Sequence, residues 1–157
     1  MTLPLLLEPE VLNAHLRDTN LLIVDLGKES VYLQAHVPSA ILVNGKQLVS
    51  GELPAPGRLP PVERLSEAFS AMGLTPDTHV VVYDEEGVGW AGRFIWTLDA
   101  IGHRHYSYLN GGIHAWLAAG LPVESTPNAA KPSPAVVSLQ ARRRLAASRR
   151  SITPRSH

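Results

Sequence analysis

The chain has 157 residues, enough for one domain with a sizeable core, and its 45% hydrophobic and 18% charged content is the balance of a globular fold. Cysteine is absent, which excludes disulfides, thiolate metal sites and any cysteine nucleophile. The formal net charge of zero hides an asymmetry: residues 1–140 carry eight Lys and Arg against fourteen Asp and Glu, whereas residues 141–157 carry six arginines and no acid.

In chain order, the short leucine run Leu5–Leu6–Leu7 has no basic residue before it, so it does not read as a signal peptide, and nowhere does an apolar stretch approach membrane-spanning length. A cytoplasmic location is the expectation. Glu8 to Leu16 reads as a first helix, with Pro9 in its first turn and acids near its positive end. Leu21–Leu22–Ile23–Val24–Asp25 reads as a buried strand ending in a carboxylate, Ser30–Ala35 as a short helix, and Ala40–Val43 as a second strand. Four prolines and three glycines in residues 44–61 predict a long surface connection. In 62–72 the helical spacing places Leu65, Phe69 and Met72 on one face, and Gly73 stops the helix.

His79–Asp84 is the central stretch. Val80–Val81–Val82–Tyr83 is apolar without alternation, as in a strand covered on both faces, and it ends at Asp84. The loop Asp84–Glu85–Glu86–Gly87–Val88–Gly89 follows, with Trp90 between glycines, and then a helix burying Phe94, Ile95, Leu98 and Ile101. Such a loop, at the carboxyl end of a strand and the amino end of a helix, is where open α/β sheets place ligands. Tyr106–Leu109 is a further strand, and Gly111–Gly112 supply positive φ and close approach before a last helix, Ile113–Ala119. Trp96 and Trp116 read as core residues, and Trp90 as a half-exposed anchor at the rim. Residues 125–140 have the proline-rich composition of a linker, and 141–157 that of a basic, disordered tail. That tail lacks stacking residues, so a nucleic-acid partner is not expected. Strands alternating with helices predict an α/β fold on a parallel sheet.

Two stretches carry a family resemblance. Asp25, then Tyr32–Leu33–Gln34–Ala35–His36–Val37–Pro38–Ser39–Ala40, is similar to the rhodanese signature of an acid followed by Tyr-x-x-Gly-His-Ile-Pro-Gly-Ala. Leu109–Asn110–Gly111–Gly112–Ile113–His114–Ala115–Trp116, with Gly120–Leu121–Pro122–Val123, resembles that family's second signature. Ala35 and Ser39 stand where the pattern prefers glycine, and Leu26–Gly27 replace its usual arginine region. The resemblance covers residues 5–124 and implies a three-layer α/β/α sandwich on a five-stranded parallel sheet. It also implies sulfane sulfur transfer from thiosulfate to cyanide through a cysteine persulfide in the loop after the central strand. Asp84 occupies that place, so the chain looks like the non-catalytic, amino-terminal half of a tandem thiosulfate sulfurtransferase. The partner implied is a catalytic rhodanese domain, with Trp90 and Arg93 at the contact. No cofactor is implied. A stand-alone, inactive rhodanese-like interaction or regulatory module is the alternative.

The residues themselves restrict the chemistry. Forming and breaking an S–S bond needs a thiolate, which a carboxylate cannot replace. A helix amino terminus favours an anion by about 0.3–1 kcal/mol, whereas each like charge near 4 Å costs about 1 kcal/mol in water and about 4 when half-buried. Asp84, Glu85 and Glu86 together therefore repel thiosulfate. An aspartate after an apolar strand also resembles the haloacid-dehalogenase-like phosphatases, but Glu86 stands where their second aspartate is needed. Asp84 and Glu86 offer oxygen ligands for a divalent cation, against the simpler reading of a solvated or Arg93-paired acidic loop. His36 reads as a structural imidazole bonded to backbone, and Asp25 as a cap on the loop that follows it or a hold on a neighbouring basic side chain.

Overall fold

The computed structural model describes residues 3–44, 62–84 and 89–132. The connection within 45–61, the loop residues Glu85, Glu86, Gly87 and Val88, and everything from 133 onward, including the basic tail, lie outside the described residues. Ten elements follow in order: β1 (Leu6–Leu7), α1 (Pro9–Ala14), β2 (Leu21–Asp25), α2 (Glu29–Gln34), β3 (Ile41–Leu42), α3 (Val62–Met72), β4 (His79–Tyr83), α4 (Trp90–Ala100), β5 (Tyr106–Leu109) and α5 (Gly112–Ala118).

The strands form one five-stranded sheet in the order β1-β5-β4-β2-β3, and each pairing is parallel. All five residues of the central strand β4 are buried, which is why its sequence does not alternate. Its side chains divide by parity between two apolar clusters. Val80 and Val82 pack with Leu65, Phe69 and Met72 of α3 and Phe94 and Leu98 of α4. Val81 and Tyr83 pack with Leu12 of α1, Tyr32 of α2, and Ile113 and Trp116 of α5. The architecture is thus an α/β/α sandwich, with α3 and α4 on one face and α1, α2 and α5 on the other.

Three local expectations change. The leucine run near the start supplies a strand, β1, held at the sheet edge by Tyr108 N–H donating to the Leu5 carbonyl and Asn110 N–H to that of Leu7. Trp90 is the first residue of α4 rather than a loop residue, because Gly89, at φ +83°, turns the chain into the helix one step earlier. Trp96, expected in the core, is 45% exposed: the buried stripe of α4 runs through Ala91, Phe94 and Leu98, and Trp96 lies off it with the Arg93 guanidinium 4.5 Å over its ring. Trp116 is fully buried as expected, its indole N–H donating to the Pro122 carbonyl at 2.7 Å.

Candidate functional site

Sheet order and helix placement single out one end of the molecule. From β2 the chain passes to α2 on one face, and from the adjacent β4 it passes to α4 on the other. The carboxyl ends of β2 and β4 therefore flank a topological switch point, where doubly wound sheets open a crevice. An open cavity of about 440 Å³ lies there, lined by Leu26, Gly27, Glu29, Leu42, Val43, Asn44 and Trp90, and the surface it offers is more polar than apolar. On the β5 side the described residues pack closely. Gly112, at φ +57°, presses so close that an added Cβ would stand 2.8 Å from the Asp84 carbonyl oxygen, and Gly111, at φ +76°, approaches Ala115 just as tightly. The Gly–Gly pair thus has the conformational role read from the sequence.

Asp84 follows β4 directly and is buried, 6% exposed. Its Oδ2 accepts the Ala91 N–H at 2.8 Å, which satisfies one of the free amides at the start of α4, and its Oδ1 accepts the Tyr108 hydroxyl at 3.4 Å. Burial, and then the Asp84 carboxylate, push the Tyr108 phenol above its ordinary range. Asp84 is therefore buried rather than solvated, and its described contacts run to the start of α4 and to Tyr108. No group of three or more His, Asp or Glu among the described residues is arranged to hold a metal ion. Glu85, Glu86, Gly87 and Val88 of the predicted loop lie outside the described residues. Gly89, exposed, and Trp90, half-buried against the α3–α4 core, are the first described residues after them.

Asp25 caps its loop as expected, with Oδ1 accepting the Gly27 N–H at 2.8 Å. Burial, and then Asp25, raise the neighbouring Tyr83 phenol far above its usual value, so it stays neutral and takes the Val37 N–H at 3.2 Å. His36 is structural: it is fully buried, stacked on Tyr32 with ring centres 3.9 Å apart, and bonded through Nδ1 to the Tyr32 carbonyl at 2.7 Å. Of the two departures from the glycine pattern, Ala35 is extended, but Ser39 sits at φ +74°, where glycine is unstrained.

Residues 8–119 match the family described as Rhodanese-like domain. The chain belongs to the rhodanese family. It is 46% identical over 138 residues to a thiosulfate sulfurtransferase of Azotobacter vinelandii, covering 88% of this chain and 51% of that protein. It is 49% identical over 116 residues to a thiosulfate sulfurtransferase of Pseudomonas aeruginosa, covering 74% and 43%. Among solved structures it resembles SseA of Escherichia coli, described as having the rhodanese fold, with a TM-score of 0.76, 25% identity and coverage of 87% and 56%. A 3-mercaptopyruvate sulfurtransferase from Leishmania major gives a TM-score of 0.67 at 30% identity, covering 87% and 41%. The rhodanese-like chain thus spans about half the length of these curated relatives. No helix among the described residues is long and apolar enough to cross a membrane.

Proposed function

We propose that this chain is the non-catalytic rhodanese-like half of a thiosulfate sulfurtransferase, acting with a catalytic rhodanese domain that supplies the sulfur-carrying cysteine. One observation carries the reading: the sequence has no cysteine, and the residue directly after the central strand is Asp84, whose carboxylate is bonded to the Ala91 amide and the Tyr108 hydroxyl. Persulfide chemistry has no nucleophile in such a site. The helix amide that would otherwise favour an incoming sulfur anion already serves an oxygen anion.

The place for the partner is the switch-point crevice. The half-buried Trp90 at its rim is the kind of large aromatic side chain that anchors a docking surface. The relatives' greater length agrees with a second domain completing the enzyme. Thiocyanate formation from thiosulfate and cyanide tests this. The chain alone should give none above the uncatalysed rate. Adding a separately made rhodanese domain that carries a loop cysteine should restore turnover and shift the tryptophan emission. Turnover by the cysteine-free chain alone, or a mixture in which neither activity nor emission changes, overturns the proposal.

A further inference from the structure

The chain after α5 does not leave the domain at once. Glu124 pairs with His36 in an isolated antiparallel bridge, N–H to carbonyl at 2.8 and 2.9 Å in the two directions. Four residues on, Asn128 makes a polar node. Its backbone N–H donates to the Tyr32 hydroxyl at 3.0 Å, and its Nδ2 donates to the Ala40 carbonyl and to Glu124 Oε1, both at 3.0 Å. The Tyr32 hydroxyl in turn donates to the same Ala40 carbonyl at 2.7 Å, and the Ser39 N–H donates to the same Glu124 oxygen at 2.9 Å. The bonds from Ser39 and then from Asn128 hold the Glu124 carboxyl below its usual range. Further on, Lys131 passes Gly73 so closely that a Cβ there would stand 2.6 Å from its carbonyl oxygen, and Ala130 rests on the α3–α4 cluster.

This path runs from the end of α5, in one helical layer, past the start of β3 to the end of α3, in the other. Little apolar burial secures it: Pro122 to Pro127 are all exposed, and only Leu121 and Ala130 pack against the clusters. A segment fastened by a few polar contacts, with little apolar contact, opens at a free energy well below that of the global fold. We propose that residues 121–132 are a releasable strap, locked by the Asn128 node, that sets where the following chain departs. Locked, the chain departs beside the end of α3; released, it departs from the end of α5 and uncovers the Tyr32 hydroxyl and the His36 ring. The inference is independent of whether a catalytic domain acts with this chain.

Amide hydrogen exchange on the full chain reads the strap directly, with β4 as internal reference. In the unaltered protein at neutral pH, the Glu124 and Asn128 amides should exchange about tenfold or more faster than those of Val81 and Val82. Asn128→Ala should speed the Glu124 amide by about a further tenfold while leaving β4 unchanged. Asn128→Asp sets a carboxylate against the Ala40 carbonyl and Glu124. It should open the strap more than Asn128→Ala at neutral pH and progressively less as the pH falls, a dependence that lost packing alone does not produce. A single common rate for strap and β4, loss of β4 protection together with the strap, or no response of Glu124 to Asn128→Ala overturns the proposal.

Discussion

Acid should unfold this domain through His79, at the buried start of the central strand. The ring is 5% exposed, and its Nε2 lies 2.8 Å from Ser107 Oγ. Ser107 donates its one hydroxyl proton to the Pro4 carbonyl, so it accepts from His79, which fixes the proton of the neutral ring on Nε2. Nδ1 is then a buried lone pair with no hydrogen-bond partner among the described residues. Protonating it places a charge in the core with nothing to receive the new N–H. Burial, followed by His105 and His103, holds the His79 pKa at about 4 against 6.5 for a free histidine. The unfolded chain thus binds the proton more readily than the folded one, and stability is complete above pH 6.5 and drains away as the pH falls toward 4. At 1.36 kcal/mol per unit, the shift is worth about 3 kcal/mol, a large share of the total for a domain of this size. Burial lowers His103 as well, which adds to the loss in the same direction. Urea unfolding at pH 7.5 and 4.5 measures the effect. His79→Gln keeps a donor for Ser107 but cannot titrate, so it should abolish about 2–3 kcal/mol of the acid loss seen in the unaltered protein. Equal losses in the two proteins would refute the reasoning.

Two further outcomes follow from geometry. Ser39→Gly relieves a left-handed residue whose backbone N–H still reaches Glu124, and should stabilise the domain by about 0.5–1 kcal/mol in urea unfolding, net of glycine's greater unfolded entropy. Asp84→Asn removes the charge beside Tyr108 while leaving an oxygen for the Ala91 amide, so tyrosinate formation on alkaline titration should begin at lower pH, with little loss of stability.

The sequence displays features that are periodic or carried by a single residue, and hides those that depend on distant partners. The unbroken Val80–Tyr83 run announced a doubly covered strand, and the spacing of Leu65, Phe69 and Met72 put the right face of α3 inward. Gly111–Gly112 could be read because only glycine fits their φ values and their approach to Ala115 and Asp84. By contrast β1 is two residues long, too short for any period, and exists because β5 offers it amides. Trp96 reads as core from its helical neighbours, whereas its own angular position on the helix decides its exposure. Proline-rich composition gives residues 125–140 the look of a linker, yet in the described part of it Asn128 is fastened to Tyr32 and Ala40, some ninety positions away. His79 and Ser107 meet because β4 and β5 pair in one register, which no local pattern encodes.

The same distinction separates two demands on the residue that follows β4. The end of β4 places an anionic side chain where the first turn of α4 presents the Ala91 amide, and a carboxylate meets that demand with a charge-assisted bond at 2.8 Å. Helix capping asks only for an acceptor, whereas sulfur transfer asks for a polarisable atom that forms and breaks S–S bonds. An oxygen acid therefore keeps the local stability and gives up the chemistry. Gly112 is likewise required by its contact with the Asp84 backbone carbonyl and not by the side chain there, so that packing persists whichever element the side chain carries. The constraints that maintain this end of the sheet are steric and electrostatic: the Ala91 amide asks for an acceptor at residue 84, and the Asp84 carbonyl asks for glycine at residue 112.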